Sequence, residues 1–324
     1  MDDADLKLNR AVTFEWLYTN GLGGYASSTI VGLNTRGYHG LLVSSLSPPV
    51  DRWLTLSRLD EVIATSQGEV NLATEQTTKG VVNRGYRLLK RFELNPLPEM
   101  RYASDGVTLD KTVFMAYRRN LTVVNYELKN KEETVFTVTP IQTCRDYHAR
   151  PPHLDFTPEV EAIDNHSFFS FDDRPNSPWM LSYTPDAEFA PSELRISETQ
   201  VYRREKDMGL PHQEQLYVPG VFHTVLEPGE HFLSFLFAVA PTRKELLSDL
   251  GGLAKAERKD FAKLRFEELR RRKILNDRAY SMSEKVRDED IEWLVLNADS
   301  FIVDRASTRM RSVIAGYHQL ADIG

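Results

Sequence analysis

Three short clusters in this 324-residue chain carry the residue types that could do chemistry. The first is Arg36-Gly37-Tyr38-His39-Gly40. Arginine offers a rigid fork of donors, histidine can donate and accept, and a tyrosine ring can stack on a sugar face. The same residues also fit an internal role, with Arg36 paired to a carboxylate and His39 hydrogen-bonded inside the fold. The second cluster, Cys144-Arg145-Asp146-Tyr147-His148, places Asp146 and His148 close enough for a catalytic pair. No serine or cysteine nucleophile completes a triad there, and Asp146 also suits a partnership with Arg145 or a loop amide. The third is Asp172-Asp173 after a Phe-rich run, where paired carboxylates could serve glycoside hydrolysis. Asp pairs that follow strands also serve as turn residues.

Upstream of the first cluster stands Asn20-Gly21-Leu22-Gly23-Gly24. Three glycines in four positions predict a tight turn, because glycine takes positive φ without steric cost. The spacing fits a loose dinucleotide pattern, but a phosphate loop needs a helix directly after it. Ser27-Ser28-Thr29-Ile30-Val31 is β-prone, so the turn is read as structural.

The elements that must position these residues are strands. From about 12 to 240 the pattern is strand, turn, strand. Val124, Tyr126 and Leu128 alternate with polar neighbours at the period of a half-buried strand. Ser104-Asp105-Gly106 predicts a hairpin loop, and Glu227-Pro228-Gly229-Glu230 a turn between runs at 221–226 and 232–239. Further strand-like runs cover 86–94, 107–117, 135–143, 168–171 and 179–183, while 150–158 and 203–219 read as long connections. Many short strands without intervening helices predict a large antiparallel β-sandwich. The 16 Phe, 13 Tyr and 4 Trp suffice for its core.

The pattern changes at Pro241. Thr242-Arg243-Lys244-Glu245 has capping-box form. Apart from Gly251-Gly252, helix formers continue to about 275. A second helix is expected from Asp288, with an apolar stripe of Ile291, Leu294, Val295, Ala298 and Ile302. The expected division is a sandwich at 1–240, a helical linker at 241–287 and a further helical segment at 288–324.

The net charge of −7 gives no global attraction for nucleic acid or anionic lipid. Residues 241–287 hold 14 Lys or Arg against 8 Asp or Glu, which reads as a solvated helical face. Cys144 is the only cysteine, so no intrachain disulfide forms, and within a hydrophobic run it reads as a core residue. The eight histidines show no metal-ligand clustering, and no cofactor is expected. The start Met1-Asp2-Asp3-Ala4-Asp5 lacks the features of a signal peptide and no apolar run reaches membrane-span length, so a soluble, cytoplasmic protein is expected.

Taken in order, several stretches resemble the bacterial and archaeal glycogen-debranching enzymes of the amylo-α-1,6-glucosidase type. They are 15–25, 34–42, 145–148, 204–210 leading to 217–222, and near the end 298–303 and 313–317. The resemblance implies a large β-sandwich followed by an (α/α)6 barrel, of which this chain would hold a truncated start. The barrel of such enzymes carries the two carboxylates, so no catalytic residue is expected before Gly324. Tyr317-His318-Gln319-Leu320 departs from the aromatic residues usual at that point. The resemblance implies α-glucan as ligand and the missing barrel, or a partner chain carrying it, as companion. Arg36, Tyr38 and His39, with Asn20, Asp146 and His148, are the residues expected to contact glucan or support the domain interface. A stand-alone glucan-binding module, or a docking domain for a separate catalytic chain, is the alternative.

Overall fold

A computed structural model describes residues 7–172, 174–250, 255–283 and 288–318. Asp173, Gly251-Gly252 and the stretch from Gln319 to Gly324 lie outside the described residues. Two large antiparallel sheets dominate, as the strand pattern predicts. The first runs Glu15–Thr19, Tyr25–Thr29, Gly40–Ser47, Val50–Thr65, Thr134–Asp146, Tyr217–Leu226, Glu188–Ile196, with Gly68–Asn71 paired beside Val50–Thr65. The second runs Pro158–Asp164, Ser167–Asp172, Trp179–Tyr183, Gly229–Ala240, Leu121–Asn130, Val107–Met115, Glu99–Ser104, Leu89–Glu93.

One continuous core lies between them, with Leu42, Leu56, Phe136 and Phe222 from the first sheet against Val124, Tyr126, Phe168 and Phe235 from the second. Edge-to-face rings tie the layers together, Tyr126 to Phe136 at 5.2 Å and Phe222 to Phe235 at 5.5 Å, the geometry ring quadrupoles favour. A buried polar tie joins them as well. Glu61 accepts from the Tyr126 hydroxyl at 2.6 Å and pairs with Lys111 Nζ at 2.5 Å. The alternation at 124–129 is realised, with Val124, Tyr126 and Leu128 fully buried. Gly106 takes φ 78° in the predicted hairpin between Glu99–Ser104 and Val107–Met115.

Two readings need correction. The stretch 203–219 is not a plain loop: it holds the helix Arg203–Asp207 and the short strand Gln213–Glu214. Burial decides this, since Glu205 and Glu214 are drawn wholly into the protein. Second, Ile302 does not extend the second helix. That helix is Glu289–Ser300, capped by Asp288, whose side chain accepts from the Asp290 N–H. The chain then forms a hairpin, Ile302–Arg305 against Met310–Val313. The hairpin is held by contacts distant in sequence, as the Asp304 N–H donates to Gly21 O and the Ala306 N–H to Pro48 O.

The helices Arg243–Leu250 and Arg258–Ser283 precede it. Thr242 caps the first of them: its Oγ1 accepts from the Glu245 N–H at 3.2 Å and donates to the Glu245 carboxylate at 2.8 Å. Thr242→Ala is therefore expected to cost about 1 kcal/mol of stability, read from the shift in the denaturant midpoint. No helix among the described residues is long and apolar enough to cross a membrane.

Candidate functional site

The glycine turn owes its shape to Asn20. Its Oδ1 accepts from the N–H groups of Leu22 and Gly24 at 2.9 and 3.0 Å. Its amide nitrogen donates to Arg119 O at 2.9 Å and to Asn120 Oδ1 at 3.1 Å. The buried Asn20 side chain thus spends both donor and acceptor capacity inside the fold. Gly23 has φ 94°, and a Cβ there would meet Pro49 O at 2.6 Å, so glycine is required on both conformational and steric grounds. The buried Arg52 closes the arrangement by donating from Nε to Gly23 O at 2.7 Å.

The Arg36–Gly40 segment leads from the strand Tyr25–Thr29 into its neighbour Gly40–Ser47 in the same sheet. Arg36 donates from Nε to Glu15 Oε1 at 2.8 Å. His39 is fully buried, and its Nδ1 accepts from the Thr35 N–H at 3.2 Å. In the neutral ring the proton therefore resides on Nε2, which faces Glu15 Oε1 at 3.7 Å. Burial, then His318, Arg36 and Arg204, lowers the His39 pKa well below its usual range, so the ring is neutral. Arg204 Nε lies 4.0 Å from the same Glu15 oxygen. Glu15 is thus the hub that Arg36, His39 and Arg204 surround.

Tyr38 is buried in an aromatic cluster with Tyr25 and Tyr147. The Arg150 guanidinium lies 4.2 Å from its ring centroid, and the His318 ring stacks at 6.3 Å. The ring face that suits a sugar is therefore occupied from within. Its hydroxyl lies 3.1 Å from His148 Nδ1. His148 is exposed, and its N–H donates to Asp146 Oδ1 at 2.8 Å, so Asp146 shapes the turn that presents the histidine. Two groups of the predicted set thus meet, Arg36 with His39 around Glu15, and Tyr38 with His148 and Asp146. Asn20 belongs to the glycine turn.

Beneath the loop lies a buried ionic layer. Gly37 donates its N–H to Glu205 Oε1 at 3.0 Å, and its carbonyl accepts from Arg145 Nη2 at 2.6 Å. Arg145 grips Glu214 with Nε to Oε1 at 2.5 Å and Nη2 to Oε2 at 3.0 Å. Burial raises the Glu205 pKa, with Arg150 and backbone donors opposing it. Asp172, the described member of the third cluster, is also internal. Burial opposes ionisation of Asp172, but the hydrogen bonds from the Arg174 guanidinium and backbone N–H outweigh it and hold the carboxyl below its ordinary value. Cys144 is buried and its thiol is pushed up by burial and then by Asp172, which leaves it an unreactive core group. Among the described residues no group of three or more His, Cys, Asp or Glu could hold a metal.

Glu15, Arg150, Glu205, Glu214 and His318 escaped the residue-by-residue reading. Glu15 and Glu205 belong to the motif stretches, but no local pattern marks an isolated glutamate as a hub. His318 shares its Nε2 with Ser27 Oγ at 2.9 Å, a pairing across the length of the chain.

A family model described as glycogen debranching enzyme N terminal matches residues 15–233. No curated protein sequence matches the chain. Among solved structures, a bacterial glucoamylase complexed with acarbose aligns over 80% of this chain and 35% of its own, at 8% identity and a TM-score of 0.38. A family GH92 α-mannosidase from Bacteroides thetaiotaomicron aligns over 95% of this chain and 39% of its own, at 9% identity and a TM-score of 0.39. A heparan sulfate lyase, HepC from Pedobacter heparinus, aligns over 47% and 21%, at 12% identity and a TM-score of 0.30. The chain spans less than two fifths of the length of each of these structures.

Proposed function

The chain belongs to the glycogen debranching enzyme N-terminal family, and on that premise we propose that it is the non-catalytic N-terminal portion of a cytoplasmic enzyme that hydrolyses α-1,6-glucosidic branch linkages. In this reading the helices after residue 241 lead into a helical barrel that carries the chemistry, in the same polypeptide or in a partner. The sandwich shapes and supports the glucan site from one side. Glycoside hydrolysis needs an acid poised to protonate the leaving oxygen and a second carboxylate that activates water or attacks the sugar. One observation carries the proposal: among the described residues, the carboxylates in and beside the predicted clusters are committed to the fold. Asp146 holds the His148 N–H, Asp172 holds Arg174, and Glu214 holds Arg145. Glu205 has the raised pKa an acid catalyst needs, but its side chain is wholly buried against Gly37.

The purified 324 residues are accordingly expected to release no glucose from a branched limit dextrin, followed by a coupled glucose assay. Glucose release that survives repurification would overturn the non-catalytic assignment and turn attention to Asp146 and Asp172.

A further inference from the structure

A groove of about 540 Å³ runs between the outermost strand Glu15–Thr19 and the helix Glu289–Ser300. Its two walls follow from elementary periodicities. The strand alternates, burying Trp16 and Tyr18 and turning Glu15, Leu17 and Thr19 to the less buried face. On the helix, Asp290, Trp293, Leu294 and Asn297 fall at i, i+3, i+4 and i+7, which places them on one face, and all four line the groove. Leu294, part of the apolar stripe expected on this helix, is 67% exposed, and Trp293 beside it is 39% exposed.

A rigid frame sets the distance between the walls. The Tyr18 hydroxyl donates to Glu268 Oε1 at 2.6 Å. Arg271 binds Glu268 with Nη2 at 2.9 Å and Asp299 with Nη1 at 2.6 Å. One strand and two helices are therefore joined through the Glu268 carboxylate and the Arg271 guanidinium. The Arg272 guanidinium lies over the Tyr18 ring at 4.8 Å and lines the groove, while its buried Nε has no hydrogen-bond partner among the described residues. At the strand's start, Glu15 is held in place by Arg36.

We propose that this groove binds a short stretch of neutral α-glucan, an inference that rests on the debranching-type reading above. Its volume falls in the range of small-ligand sites, and its lining suits a polyol with two kinds of face. The Trp293 indole offers a flat apolar platform for the C–H face of a pyranose ring. The Asn297 amide and the Arg272 guanidinium offer donors and an acceptor for vicinal hydroxyls, and Glu15, whose Oε1 is held by Arg36, offers its second carboxylate oxygen. Carboxylates and a guanidinium line it together, so neither an acidic nor a basic polymer is favoured. Polar groups at positions 15, 19, 290 and 297 interrupt the apolar surface that an amphipathic peptide would need. Arg36 and His39 do not line the groove; they are positioning residues that fix Glu15.

The test is isothermal titration of the full chain with maltoheptaose, with heparin as the anionic comparison. Maltoheptaose is expected to bind and heparin to leave that binding unchanged. Trp293→Ala is expected to weaken binding at least about tenfold, the loss of an aromatic platform. Asn297→Ala is expected to weaken it about threefold, the loss of one hydrogen bond. Both positions are exposed, and if near-ultraviolet dichroism shows Trp293→Ala misfolded, Asn297→Ala decides. Binding unaltered by both substitutions, binding displaced by heparin, or no binding at millimolar maltoheptaose would each overturn the assignment. Self-association abolished by Trp293→Ala would also overturn it, by making the groove a protein interface. None of these outcomes touches the non-catalytic reading, which falls only if the chain releases glucose.

Discussion

Arg145→Ala is expected to destabilise the fold by about 3–5 kcal/mol, the consequence of breaking a buried ion pair from one side. Arg145 and Glu214 are almost wholly enclosed, at 2% and 0% exposure. Beyond the two contacts to Glu214, Arg145 donates to Gly37 O at 2.6 Å and Tyr147 O at 3.1 Å. Without the guanidinium, Glu214 keeps only neutral donors, the Tyr202 hydroxyl at 2.5 Å and the Thr143 hydroxyl at 3.3 Å. Three backbone carbonyls, those of Gly37, Asp146 and Tyr147, also lose a partner. Urea unfolding reads the loss directly, and amide exchange at Gly37 and His39, whose N–H groups donate to Glu205 Oε1 and Arg36 O, reports whether the loop above loosens. Arg145→Lys keeps the charge but not the fork, so it is expected to recover a minor part of the loss. The combined Arg145→Met and Glu214→Leu replacement removes both charges and is expected to recover more. A single-variant loss under about 1 kcal/mol would mean that water enters and solvates Glu214, contrary to its burial.

That pair also shows which parts of the molecule could be read from the sequence. Alternation reports whether one face of a strand is buried, so Val124, Tyr126 and Leu128 could be placed without knowing their neighbours. Gly106 and Thr242 were readable because turn and cap chemistry is local. The hairpin after residue 301 was not, because Ile302 continues the helical spacing of Ile291 and Leu294. After Phe301 the chain instead pairs Ile302–Arg305 with Met310–Val313, a hairpin held by long-range backbone hydrogen bonds to Gly21 and Pro48. The candidate site divides in the same way. Arg36, Tyr38 and His39 were visible as residue types, but their setting depends on Glu15, Glu205, Arg150 and His318. These partners are separated from the loop by tens to hundreds of positions, and no periodicity links them. The burial of Tyr38 beneath Arg150 follows from tertiary packing that residue type alone does not encode.

Acidification is expected to weaken the fold through the same loop, with a sign set by two buried histidines. Burial, then Arg36, lowers the His318 pKa from the ordinary 6.5 to about 3, and burial with neighbouring His318, Arg36 and Arg204 lowers that of His39 as well. Above about pH 6.5 both rings are neutral in folded and unfolded chains and contribute no pH dependence. Below it the unfolded chain takes up protons that the folded chain refuses, so stability falls with decreasing pH until the folded pKa is reached. For His318 the loss by pH 4.5 is on the order of 2–3 kcal/mol, and His39 adds to it with the same sign. Glu205 acts in the opposite direction, because its raised pKa lets the folded chain take a proton first. Urea unfolding at about pH 7 and pH 4.5 measures the sum, and His318→Gln isolates one contribution. The variant should lose less stability between the two pH values than the parent chain. Equal losses would mean that His318 titrates alike in both states. His39 would then have to carry the effect, because its ring is fully buried and its Nδ1 already accepts the Thr35 N–H, leaving a second ring proton without an acceptor on that side.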